Sequence, residues 1–162
     1  MAKSTKNAFV ICLALTIVAA LLVLLGWWKS LPLVILAGML PAVAYEVYRT
    51  EGATTTLASW GIAAAIVVEA VLIIFNIQVN IMQFLGSFAA SLPAVDIRMA
   101  GPVVIGVLAI MLLKRTGGMY TKWLAVVIFL AACGLFYVLD PDLFSKLFKS
   151  GLSEGAKRIP RP

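Results

Sequence analysis

Residues 57–91 read LASWGIAAAIVVEAVLIIFNIQVNIMQFLGSFAAS, and this run decides the fold. At about 1.5 Å per residue, one unbroken helix of this length would extend over about 50 Å, against a bilayer hydrocarbon core of roughly 30 Å. That is too long for a single crossing. The run therefore bends near Asn76 to Asn80, or its second half lies in the interface or projects into a partner, with Gly86 as a further break. Placed on a helix at roughly 100° per residue, Glu69, Asn76, Asn80, Gln83 and Ser87 fall within about 40° of one another. With Ile73 included, the spacings are 4, 3, 4, 3 and 4, the rhythm of a heptad seam. Lipid cannot satisfy such groups, so the seam is expected to face protein or water.

Working outward, the composition supports a membrane class. The chain has 162 residues, 63% hydrophobic and 12% charged, with long apolar stretches separated by short polar joints. Soluble domains carry about twice that share of charge. Mean hydropathy is +1.07. The net charge of +6 comes from basic residues scattered over termini and joints, where they set orientation or meet anionic headgroups. No basic helix with interleaved aromatics suggests nucleic acid as a partner. The expected partners are the lipid bilayer and other membrane subunits, or further copies of the chain.

The absence of histidine removes the commonest haem, zinc and copper ligand and the commonest acid–base catalyst. Cys12 and Cys133 sit in separate apolar stretches without metal-type spacing, and read as small packing residues. No paired Asp, Ser/His set or Gly-rich phosphate loop is present. The sequence therefore predicts no cofactor, no metal and no enzymatic activity.

Five spans follow, at about 8–28, 31–48, 57–77, 96–113 and 121–139. The first begins after Lys3 and Lys6 and ends at Trp27 and Trp28, indoles suited to the headgroup level. It reads as an uncleaved helix rather than a leader, because no small-x-small site follows it. Lys29-Ser30 is so tight a joint that the first two helices form an antiparallel hairpin. In the second, Pro41 is expected to kink the helix, and Glu46 and Arg49 are expected as an interfacial anchor. Asp96 and Arg98 would diverge on a helix but could pair in a loop. Trp123 is the interfacial anchor of the last span.

Residues 141–162 form a separate tail. Asp140-Pro141-Asp142 stops the last span and starts a fresh helix. Leu143, Phe144, Leu147 and Phe148 share one face there, flanked by Lys146 and Lys149, which suits a membrane surface. The predicted fold is thus all-α: a polytopic integral membrane bundle of about five helices with a short C-terminal interfacial amphipathic helix. The cluster Lys114, Arg115 and Lys122 favours a cytoplasmic N-terminus in an inner or plasma membrane.

Two functions fit this reading. One is a small integral subunit of a larger secretion, conjugation or energy-transducing assembly, packing through the polar seam. The other is a homo-oligomeric channel or carrier for protons or small cations built around Glu69, with Asn76 and Asn80 as further ligands. In the first, Glu69 is a neutral interhelical hydrogen bonder.

Overall fold

A computed structural model describes residues 7–49, 52–77, 96–146, 148 and 149. Among them the chain is helical, without strands, and five helices are long and apolar enough to cross a membrane. These are α1 (Ala8–Lys29), α2 (Pro32–Arg49), α3 (Ala53–Ile74), α4 (Ala100–Arg115) and α5 (Met119–Leu139). A 3-10 turn, Ile97–Met99, leads into α4 and brings that span to 19 residues.

The helices pack as a closed ring. Each touches the next in sequence, α5 closes back on α1, and α2 and α5 also meet across the middle. Short joints impose the up-and-down order. At the first of them Ser30 takes a left-handed φ of 51°, and the Leu31 N–H returns to the Gly26 carbonyl at 2.9 Å. The chain reverses there within two residues.

The ring is filled by Ile35, Met39, Ile62, Ile66, Ile105, Leu112, Leu124, Ile128 and Leu135, all fully buried. In lipid such side chains gain little by leaving one apolar medium for another, so close packing of small residues must supply the association. Gly38 of α2 shows this: a Cβ there would stand 2.7 Å from the Leu22 Cβ of α1. α2 itself runs through Pro41 as one helix.

The end of α3 is where the structure departs from one continuous seam. Asn76 adopts φ 51°, its N–H bonds to the Ile73 carbonyl at 3.2 Å, and the Ile77 N–H bonds to the Leu72 carbonyl at 3.0 Å. These two bonds are the paired closure of a Schellman motif, with asparagine in the left-handed position that only glycine occupies more readily. The helix therefore stops at Ile74, and Asn76 does not continue the face that carries Glu69. The remaining seam residues, Asn80, Gln83 and Ser87, lie outside the described residues, as does the proposed break at Gly86.

After α5 the chain turns at Asp140. Its carboxylate accepts the Leu143 N–H at 2.9 Å, and Pro141 follows as the first residue of a helical stretch over 141–146. An acidic N-cap followed by proline is the arrangement that satisfies an orphan N–H and presets φ. Phe144 folds back on α5, with its ring 5.9 Å from Phe136 and 5.6 Å from Tyr137.

Candidate functional site

Glu69 lies on α3 with about one and a half turns of helix between it and Ile74, or about 8 Å of rise. Its side chain points into the bundle and is fully buried. Neither carboxyl oxygen has a hydrogen-bond partner among the described residues. The group opposite is Gly101, in the first turn of α4: a Cβ built there would overlap Glu69 Oε2. Glycine at 101 is therefore what makes room for the carboxyl.

Above Glu69, Arg98 ties the two helix ends together. Its Nη2 donates to Asn76 Oδ1 at 2.6 Å and its Nε donates to the Ile77 carbonyl at 3.2 Å. The same Nε stands 4.0 Å from Asp96 Oδ2, and Asp96 Oδ1 accepts the Arg98 backbone N–H at 3.3 Å to open the 3-10 turn. The exposed carbonyl at the end of α3 thus receives a cation, the favourable sign for a helix C-terminus. Because Ile77 and Arg98 are in contact, the chain leaves α3 and re-enters at α4 on the same end of the bundle.

The arrangement is a buried carboxyl below a mouth held by one guanidinium. It lacks what most other chemistry would need. Among the described residues the Glu69 carboxyl has no hydrogen-bonded hydroxyl, thiol or second carboxyl with which to form an acid–base or nucleophilic pair, and no group of three metal-ligating side chains is present. Its available chemistry is gain and loss of a proton, with Arg98 as the nearest compensating charge.

The predicted seam is thus resolved into parts. Glu69 and Asn76 reach the same mouth, one buried beneath it and one exposed on it, and Arg98 rather than a shared helix face relates them. Asp96 and Arg98 do pair across the turn. Arg98 and Gly101 are missing from a site read off the polar seam alone. One signal was present: Arg98 is the lone basic residue between Thr50 and Leu113.

The anchors divide as well. Trp27 and Trp28 are exposed on α1, with Trp27 edge-on to Tyr137 at 5.9 Å. Trp123 is part-buried, and its indole N–H donates to Thr16 Oγ1 at 3.0 Å. Glu46 and Arg49, in the last turn of α2, are buried, at 1% and 5% exposure. The Arg49 guanidinium covers the Tyr120 ring at 4.9 Å. This second polar cluster is at the end opposite Arg98.

Comparison with protein-family models, with curated proteins and with solved structures found no match to this chain.

Proposed function

We propose that the chain is an integral membrane protein that works by protonation and deprotonation of Glu69, as a proton-handling subunit of a larger membrane assembly. The observation that carries this reading is the burial of Glu69 with both oxygens unpartnered among the described residues. A buried polar group left unsatisfied costs about 1–3 kcal/mol, whereas an interhelical hydrogen bond in a membrane contributes about 0.6 kcal/mol on average. A purely structural glutamate would be expected to make that bond, and Glu69 makes none among the described residues. A proton fits the site better than a metal cation, which needs several oxygen ligands and would be repelled by Arg98.

Membership of an assembly is favoured by the interior of the ring. Between Glu69 and the Glu46–Arg49 cluster lie Ile62, Ile66, Ile105, Leu124 and Ile128, so one bundle carries no polar route along its described core. A second subunit, whether another copy or a different chain, would complete the path.

The test is proton flux in liposomes for the assembly as purified with the subunits it retains, carrying either the unmutated chain or Glu69→Gln. The amide keeps shape and hydrogen-bonding capacity but cannot ionise. Flux should be lost while helical content and oligomer size stay the same. Unchanged flux in Glu69→Gln would defeat the proposal, and so would a protein whose assembly, but not flux, depends on Glu69.

A further inference from the structure

A second site lies on the outer face of α4 and α5, away from Glu69. Gly106, Val107, Ala132 and Phe136 form the bed of an almost wholly apolar groove, and Phe144 and Phe148 close one end. Those two rings stack at 6.0 Å with 9° between their planes. The groove has a volume of about 530 Å³, within the roughly 300–1,000 Å³ of sites that hold small ligands.

Its length selects the occupant. From Pro102 near the mouth end to Ile110 at depth the groove descends about 12 Å along α4. One leaflet of hydrocarbon is about 15 Å deep, half of a roughly 30 Å core. A transmembrane helix from a partner would need a seat twice as long, whereas a single acyl chain matches. Charge selects the headgroup. The stretch that closes the groove carries Lys146 and Lys149, both exposed, against Asp142, and the sequence beyond adds Lys157, Arg158 and Arg161 against Glu154. Anionic headgroups are attracted by basic residues at this depth.

We propose that the groove between α4 and α5 holds one acyl chain of an anionic phospholipid, whose headgroup meets Lys146 and Lys149. The stacked Phe144 and Phe148 then serve as the wall at the headgroup end of the chain, and Asp140 holds that wall in place by capping the helical stretch.

The experiment is native mass spectrometry of the full chain released from nanodiscs of equal phosphatidylglycerol and phosphatidylcholine. One retained lipid per chain is expected, with phosphatidylglycerol preferred by about fivefold for each lysine engaged. Val107→Trp, at a position 53% exposed and on the groove bed, should abolish retention. Lys146→Gln with Lys149→Gln should keep the lipid but lose the preference. Retention unchanged in a Val107→Trp protein of normal helical content would overturn the proposal. A photo-reactive phenylalanine analogue at position 107 of an otherwise unmutated chain provides a check independent of that variant's folding. Cross-linking to phosphatidylglycerol supports the assignment, and cross-linking to residues 78–95 or to a second copy refutes it.

Discussion

Replacing Gly101 by alanine puts a methyl group where the Glu69 Oε2 oxygen now lies. The carboxyl cannot simply rotate away, because Glu69 has no exposed surface and α3 and α4 are packed neighbours. Forcing a methyl group into a filled interior costs about 1–3 kcal/mol. The helix itself would gain from the change, since alanine is favoured over glycine in a helix by about 0.5–1 kcal/mol. Steric overlap is the larger effect, so Gly101→Ala alone should destabilise by about 1–2 kcal/mol. In a Glu69→Ala background the oxygen is gone and the sign should reverse: Gly101→Ala becomes neutral or stabilising by up to about 1 kcal/mol. The four proteins form a double-mutant cycle with an expected coupling of about 1–3 kcal/mol, read from reversible unfolding in mixed micelles. Additive effects within about 0.5 kcal/mol would mean that Glu69 does not face Gly101, and the placement of the carboxyl would be wrong.

Further outcomes follow from other contacts. At Asn76 both Asn76→Gly and Asn76→Val lose the bond from Arg98, but the left-handed backbone should make the valine variant less stable than the glycine variant by about 1–2 kcal/mol in the same unfolding assay; equal stabilities of the two would contradict the helix end at Ile74. Asp140→Ala removes the cap on the Leu143 N–H and should loosen the stretch from 141 by about 1 kcal/mol, seen as faster protease cleavage there with an unchanged unfolding midpoint of the bundle. Cleavage at the original rate would show that the cap is not what holds this stretch.

Hydropathy and joint length are local properties, and from them the sequence determined five apolar helices and the tight reversal at Lys29-Ser30. The importance of Glu69 was equally legible, because a carboxylate inside a span is costly wherever the helix packs. Its surroundings were not. A heptad seam through Asn76 requires the helix to continue, and asparagine is compatible both with a helix interior and with the left-handed residue that ends one. Nothing in the spacing of polar residues distinguishes the two states. The tertiary structure decides between them at Arg98, which reaches back across 21 residues to the Ile77 carbonyl and fixes the end of α3 beside the start of α4. The same approach sets Gly101 against Glu69, and at the other end of the bundle the packing of the helices buries Glu46 and Arg49. Periodicity tells which residues share a helix face. Which neighbour that face meets, and at what depth, is settled only when the ring closes, because that depends on contacts between residues far apart in the chain.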